Sequence, residues 1–138
     1  MRRSPGAGEG AREALAGPWP LPEGWAWARL GEVTQPVRNI NASNFGAEDF
    51  AYIDLSAIRN GLIIKPQRIK PAEAPSRAKQ LVQIGDTLFS CVRVYLNNNA
   101  IITADYDDTV ASTAFCVLRP RDVIEARYLF WYVNWQRF

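Results

Sequence analysis

Arginine, tyrosine and asparagine side chains are concentrated in one short segment between two apolar runs. Its members are Arg93, Tyr95, Asn97, Asn98 and Asn99. Arg and Asn are the residue types that make bidentate hydrogen bonds to guanine and adenine edges in the major groove of DNA. The alternative is that the three asparagines form a plain hairpin turn, because Asn tolerates the left-handed backbone region. Recognition of base edges is therefore the chemistry that this segment offers.

Basic residues are frequent in the stretch that precedes this segment. Between Ile58 and Arg93 the chain carries seven lysines and arginines but only Glu73 and Asp86 as acids, although its formal net charge is only +2. A locally basic face is what contact with DNA phosphates requires. The alternative is an ordinary solvated surface with scattered basic residues.

Several catalytic classes are excluded by what the sequence lacks. There is no histidine, so Ser-His and Cys-His nucleophilic catalysis are ruled out. With no histidine and two well-separated cysteines, a zinc site is not expected, and no phosphate-binding glycine-rich motif occurs. The acidic stretch at residues 105–108 is predicted to be a solvated turn. We therefore predict a binding protein without catalytic residues, metal or cofactor.

The length of 138 residues suits a single domain. Residues 1–20 are rich in Gly, Ala, Pro and Arg, so they are predicted to form a flexible tail, and residues 21–138 the folded domain. No apolar run reaches the roughly 18 residues that a membrane span needs, and no secretory signal is present. A cytoplasmic location is therefore expected. Cys91 and Cys116 are predicted to be reduced residues of the core.

Short strands must hold the polar segment in place. Asn60 and Gly61 lie between two apolar runs and predict a two-residue hairpin, since both residues tolerate positive φ. Runs rich in β-branched and aromatic residues predict further strands. They cover residues 80–84, 87–94, 100–102 and 114–118.

One helix is predicted, near the end of the sequence. It opens at Arg121, with Asp122 as its cap and Glu125 completing a capping box. The helix is apolar nearly all round, so we predict that it is buried. Because the sequence ends while this pattern continues, we expect either a truncated chain or a partner that covers the helix.

Several short blocks follow one another in a distinctive order. They are Leu21-Pro22-Glu23-Gly24-Trp25, Leu30-Gly31-Glu32-Val33, Tyr52-Ile53-Asp54, Pro75-Ser76-Arg77-Ala78-Lys79, Gly85-Asp86-Thr87-Leu88-Phe89-Ser90, Val92-Arg93-Val94-Tyr95-Leu96-Asn97, Ala111-Ser112-Thr113-Ala114-Phe115-Cys116-Val117-Leu118-Arg119-Pro120 and Tyr128-Leu129-Phe130. Each block alone is weak, but their order and spacing resemble one target-recognition domain of the specificity subunit of type I restriction-modification systems.

The resemblance implies an α+β fold with a curved, barrel-like mixed β-sheet, flanking helices and a C-terminal helix that is cut short. It implies a non-catalytic specificity component that reads one half of a bipartite target in double-stranded DNA. Such a component positions methyltransferase and restriction subunits, which use S-adenosylmethionine and ATP, so no cofactor is expected here. A full specificity subunit usually carries two such domains joined by long helices, and this sequence has one.

The resemblance and the residue types together predict two kinds of DNA contact. Phosphate contacts are expected from the segments that carry Arg59, Lys70, Ser76, Arg77 and Lys79. Groove contacts are expected from two loops that carry Arg38, Asn39, Asn44, Arg93, Tyr95, Asn97, Asn98 and Asn99.

Two other functions stay open at this point. The chain could be the target-recognition part of a fused or type II-like restriction-methyltransferase whose catalytic part lies elsewhere. It could also be a protein-interaction remnant that uses its aromatic C-terminal helix, with self-association through that helix as one form of the interaction.

Overall fold

The computed structural model describes residues 15–45 and 48–135. Within them the α-helices are α1 (Leu30–Val33) and α2 (Ala126–Val133). Short 3₁₀ helices cover Ala42–Phe45, Leu55–Ala57, Pro71–Glu73, Val94–Leu96 and Ala104–Tyr106. The strands are β1 (Thr34–Gln35), β2 (Phe50–Ile53), β3 (Ile58–Arg59), β4 (Leu62–Ile63), β5 (Gln67–Ile69), β6 (Ala78–Val82), β7 (Thr87–Ser90), β8 (Ala100–Ile101), β9 (Thr109–Ser112) and β10 (Phe115–Pro120).

Two four-stranded sheets form the body of the molecule. Sheet I has the order β1-β10-β7-β8, with every neighbouring pair antiparallel. Sheet II has the order β5-β2-β9-β6, in which β2 and β9 are parallel and the other pairs are antiparallel. The predicted α+β class is confirmed. Among the described residues, the sheets remain separate and do not close into a barrel.

The predicted hairpin at Asn60 and Gly61 is confirmed. It joins β3 to β4, which pair antiparallel with Ile58 opposite Ile63. Asn60 and Gly61 have φ values of 53° and 78°, the positive values that a tight two-residue turn requires at both positions.

All four of the strands predicted for residues 80–118 have different bounds in the structure. β8 ends at Ile101 instead of residue 102, and β10 covers Phe115–Pro120 instead of residues 114–118. β6 covers Ala78–Val82 instead of residues 80–84, because Ala78 already pairs with Ser112 of β9. β7 ends at Ser90 instead of continuing to residue 94. The Ser90 hydroxyl donates to the carbonyl of Val92, and Arg93 has a φ of 49°, through which an extended strand cannot continue. Residues 91–98 therefore form a loop, here called the tip.

Three hydrophobic clusters hold these elements together. The largest joins residues of both sheets, among them Ile53, Leu88 and Phe115. A second cluster covers the opposite face of sheet II, because alternate strand residues such as Tyr52 point away from Ile53. The third attaches α2 to sheet I and consists of buried Leu118, Leu129 and Val133, with half-buried neighbours.

The C-terminal helix differs from its prediction in two ways. It begins at Ala126, and its N-cap Glu125 makes no capping hydrogen bond through its side chain, so the predicted start with an Asp122 cap is wrong. Only Leu129 and Val133 are buried, so the prediction of a helix buried all round is wrong as well. No helix among the described residues is long and apolar enough to cross a membrane.

The N-terminal segment packs against this helix. The Trp19 ring contacts the rings of Trp27 and Trp135, and the Trp27 indole N–H donates to the Trp19 carbonyl over 3.2 Å. A Cβ added to Gly17 would lie 1.9 Å from the Trp27 ring, so glycine is needed there. Gly17 and Trp19, predicted to belong to the tail, thus contact the domain, whereas residues 1–14 of the predicted tail lie outside the described residues.

Both cysteines are free thiols, but neither is a core residue as predicted, because Cys91 and Cys116 are both exposed. They lie near each other, since Cys116 pairs with Phe89 in the β7–β10 register and Cys91 follows two residues later. Partial desolvation raises the pKa of the Cys116 thiol, and the neighbouring Cys91 adds to the increase.

A buried ion pair joins β7 to β10 within sheet I and is hydrogen-bonded to Leu81 of β6 in sheet II and to Gln83, which follows β6. The Asp86 side chain, 0% exposed, precedes β7 and accepts two hydrogen bonds from Arg119 on β10, over 2.9 and 2.8 Å. Asp86 also accepts from the Gln83 N–H over 3.0 Å, and Arg119 donates to the carbonyl of Leu81 on β6 over 3.3 Å. The hydrogen bonds to Asp86, with its charge, raise the pKa of Arg119 despite the opposing effect of burial.

We expect Asp86→Ala to lower the free energy of unfolding by about 3–5 kcal/mol, because Arg119 would remain largely buried without its partner. Since the pKa of Arg119 is raised from an already high value, the guanidinium stays charged at any ordinary pH. Chemical denaturation measures the loss. Asp105→Ala is the matched control, since Asp105 is exposed on the short 3₁₀ helix Ala104–Tyr106, and should change stability by less than about 0.5 kcal/mol. Equal losses for the two variants would contradict the structural role of the pair.

Candidate nucleic-acid interface

The tip is a loop closed by its own backbone hydrogen bonds. The Leu96 N–H donates to the Arg93 carbonyl over 2.9 Å, and the Asn97 N–H to the Val94 carbonyl over 3.1 Å. Arg93 and Asn97 both have a left-handed backbone with φ 49°. This region costs residues other than glycine roughly 1–2 kcal/mol each, although Asn tolerates it better. The shape of the tip must therefore be imposed by its surroundings.

Asn99 supplies that constraint, which corrects one predicted DNA contact. Its side chain is 1% exposed, and its amide oxygen accepts from the Ser90 N–H over 2.8 Å. Its amide nitrogen donates to the Asn134 side chain at the end of α2 over 3.2 Å, and Asn134 in turn donates to the Phe130 carbonyl. Burial and internal hydrogen bonding are inconsistent with a base contact by Asn99. Its position makes it the anchor of the tip.

A tight turn between β9 and β10 joins the tip to the basic segment at Arg77. The Thr113 N–H donates to the Arg77 carbonyl over 2.9 Å, and the Cys91 N–H donates to the Ala114 carbonyl over 3.0 Å. The Gln80 side chain fixes the turn by donating to the carbonyls flanking it, over 2.8 and 3.0 Å. Arg77 and the base of the tip therefore lie on two sides of one rigid turn.

Sheet topology places these features at one end of the molecule. In sheet I, Ser90 lies opposite Phe115, so the tip and the start of β10 share an end. In sheet II, Ala78 lies opposite Ser112, so Arg77 lies where β9 finishes. Because β9 runs directly into β10 through the turn, the two ends coincide. We call this the tip end.

The hairpin that carries Arg59 reaches the same region. It follows β2, which runs parallel to β9 and so finishes at the same end of sheet II. A Cβ added to Gly61 in its turn would lie 3.9 Å from the Asn99 carbonyl oxygen and from Phe130. The exposed Arg59 thus lies on a hairpin that packs beside the base of the tip.

Arg38, Asn39 and Lys79 line one edge of sheet II. Residues 38–40 run alongside β6, with the Ile40 N–H donating to the Lys79 carbonyl over 2.7 Å and the Leu81 N–H to the Arg38 carbonyl over 3.3 Å. A concavity of about 560 Å³ opens beside this edge. Its polar lining comes from Asn39, Asn41, Ser76 and Lys79.

Two predicted contacts are not brought together with the tip. Lys70 follows β5, whose Ile69 lies opposite Phe50 at the start of β2, so Lys70 lies at the opposite end of sheet II from Arg77. Asn44 precedes Phe45, whose ring stacks on Phe50 with centroids 5.0 Å apart, so it lies near that same opposite end.

The electrostatics of the tip end suit a polyanion. Between residues 74 and 104 the only acidic residue is Asp86, which is buried and paired with Arg119. The exposed side chains of Arg77, Lys79 and Arg93 form no ion pair with any acidic group in the described part of the chain. Their positive charges therefore remain available to a ligand.

Sequence reasoning missed two features of this end. Exposed Thr113 lies between the basic segment and the tip, and the only signal for it is a small polar interruption between two strand-like runs. Val94 is exposed, although it was predicted to end a strand, and the neighbouring apolar Leu96 is exposed as well. The left-handed backbone of Arg93 explains that difference, because it turns the chain out of β7 before these residues.

Comparisons with known proteins agree with this architecture. No family model matches the chain, and no curated protein matches it. Among solved structures, the HsdS subunit from Thermoanaerobacter tengcongensis matches 83% of this chain at 40% identity with a TM-score of 0.78. A structure that concerns complex assembly and conformational transition of the type I R-M system matches 85% of the chain at 38% identity with a TM-score of 0.81.

The chain is a homologue of one domain of type I specificity (HsdS) subunits. It spans 30% and 31% of the length of the two solved chains. The resemblance predicted from the sequence blocks is therefore confirmed at the level of a single domain. Specificity subunits are non-catalytic components of their systems.

We expect Asn99→Ala to lower the free energy of unfolding by about 1–3 kcal/mol, because the Ser90 N–H would lose its acceptor inside the protein. Hydrogen exchange at Ser90 and in the tip should accelerate in the variant. The neighbouring Asn98→Ala is the matched control, since Asn98 is more exposed and makes no side-chain hydrogen bond within the described residues. A stability loss for Asn98→Ala as large as that for Asn99→Ala would contradict the anchoring role.

Proposed function

We propose that this chain reads DNA sequence as one target-recognition domain of a type I restriction-modification system. The observation that carries the proposal is the 38–40% identity to type I specificity-subunit structures over 83–85% of the chain. The tip end supports it independently, because unpaired arginines and lysine there lie beside asparagines in an exposed loop. The target is one half of a bipartite site in double-stranded DNA.

The tip end divides recognition into two tasks. Arg77, Lys79 and Arg59 bind phosphates and set the position of the protein, which carries no sequence information by itself. Arg93, Asn97 and Asn98 face base edges, where a good bidentate pair contributes about 1–3 kcal/mol of discrimination. The rigid turn at residues 113–114 keeps the two groups in fixed register, so that phosphate contacts determine which base the tip reaches.

The chain contributes specificity and leaves the chemistry to its partners. Methyltransferase subunits supply S-adenosylmethionine chemistry and restriction subunits supply ATP-driven cleavage, and this domain positions both on DNA in the cytoplasm. The absence of histidine from the sequence is consistent with a chain that performs no catalysis of its own.

The aromatic surface of α2 is a candidate for contact with protein. Trp131 is 69% exposed, and Tyr128 and Trp135 line the same shallow apolar groove. Exposed Trp25 extends this surface, because its ring contacts Tyr128 with centroids 5.9 Å apart. We propose that the surface packs against the rest of the assembly or against a second copy of the chain.

The proposed function is tested by selection from a random-sequence duplex pool at several salt concentrations, with sequencing of the retained DNA. We expect enrichment of a short half-site. Arg93→Ala should relax selection at one position and weaken binding of the selected duplex by roughly 5–150-fold, the loss of about 1–3 kcal/mol expected for a base contact.

Arg127→Ala is the matched control for this selection. Arg127 is exposed on α2, beside Ala126, which approaches Gly85 at the end of sheet I opposite the tip. The control should retain the selected sequence. Weak binding that disappears with salt and enriches no sequence, with and without a methyltransferase subunit, would reject DNA reading by this chain.

A further inference from the structure

The surface of the tip is mostly apolar. Val92, Val94, Tyr95 and Leu96 are all exposed, and Tyr95 is 79% exposed, the highest value among the large hydrophobic residues of the described chain. Hydrogen bonding to base edges requires none of these side chains. Four exposed hydrophobic residues within five positions, around a single arginine, therefore require an additional explanation.

The tip is also held in a defined shape before it meets a ligand. The Ser90 hydroxyl holds the Val92 carbonyl, and the Asn99 amide holds the base of the tip. The left-handed Arg93 and Asn97 lie on either side of residues 94–96. A loop that is already ordered loses little conformational entropy on binding. This arrangement therefore suits a loop that inserts one of its side chains into a ligand.

Charge identifies the ligand class. No acidic residue occurs from residue 87 to residue 104, and Arg93 lies within the apolar group. A hydrophobic patch that binds a protein does not require an excess of positive over negative charge. Apolar side chains beside an arginine are found instead in proteins that insert an apolar side chain between DNA base steps. Double-stranded DNA is therefore favoured over a protein as the occupant.

We propose that Tyr95, supported by Leu96, inserts at a base step of the bound duplex and partly unstacks it. The proposal rests on the proposed function, because it assumes that the tip approaches DNA. Arg93 binds the adjacent base edge and holds the wedge in place. Part of the sequence preference then comes from the free-energy cost of unstacking a base step. This cost is lowest at pyrimidine–purine steps.

The test uses the full chain and the duplex selected with the wild-type protein, with 2-aminopurine placed at each position in turn. We expect wild-type binding to increase the 2-aminopurine fluorescence at one base step. We also expect the DNA to bend at that step, as measured by energy transfer between dyes on the duplex. Tyr95→Ala should abolish both signals and weaken binding by about 5–150-fold. Tyr95→Phe should retain both, because only the ring is needed.

Val123→Ala is the matched control, since Val123 is a similarly exposed apolar residue outside the tip. It should behave as wild type, and thermal unfolding should show that each variant folds. A selected half-site that stays stacked and straight in the wild-type complex, or a Tyr95→Ala variant with undiminished signals, would overturn the wedge but leave DNA reading intact. Loss of methyltransferase-subunit binding by Tyr95→Ala without loss of DNA distortion would assign the tip to a protein partner. Failure of the wild-type selection would overturn both proposals.

Discussion

The buried pair of Asp86 and Arg119 is the interaction on which the two-sheet arrangement depends. Its residues lie at the start of β7 and near the end of β10, while Arg119 also bonds to Leu81 in the other sheet. A carboxylate with no exposure is costly unless its oxygens are occupied, and here they receive two guanidinium bonds and one backbone N–H. A displacement of one sheet against the other would break the hydrogen bonds from Arg119 to the Leu81 carbonyl and from the Gln83 N–H to Asp86, so the pair helps to fix the relative position of the sheets.

That constraint has a consequence at the other end of the same strands. β7 is only four residues long, so the tip begins a short distance from the ion pair. At the tip end, the Gln80 side chain forms a second link between the sheets. It donates hydrogen bonds to the carbonyls of Ser112 in sheet II and Phe115 in sheet I, on either side of the turn at residues 113–114. With both ends tied, sheet I supports a loop whose backbone is partly left-handed. A less firmly held strand pair would allow Arg93 to return to an extended conformation and the tip to lose its shape.

The features that the sequence predicts well are those decided by local chemistry. Asn60 and Gly61 specify their hairpin because positive φ at both positions is a property of those two residue types. Asn99 shows the limit of this reasoning. Nothing local distinguishes it from Asn97 and Asn98, and its role as an anchor depends on Asn134, 35 residues later, which the fold brings within 3.2 Å. The start of α2 fails for a related reason, since Asp122 has the correct spacing for a cap but residues 122–124 turn before the helix begins.

Burial was the least predictable property, because apolar character does not say which surface is left uncovered. Val94 belongs to the run predicted as a strand, and the turn at Arg93 exposes it together with Leu96. The same holds for Trp131 on α2, whose apolar neighbours suggested a fully buried helix. Val94 and Leu96 lie beside the unpaired Arg93, whereas Trp131 lies among aromatic rings. This difference in surrounding charge is why we assign the tip to DNA and the α2 surface to protein. Positive charge next to apolar side chains favours a polyanion whose bases can stack. An aromatic groove lined by no charged side chain favours another polypeptide.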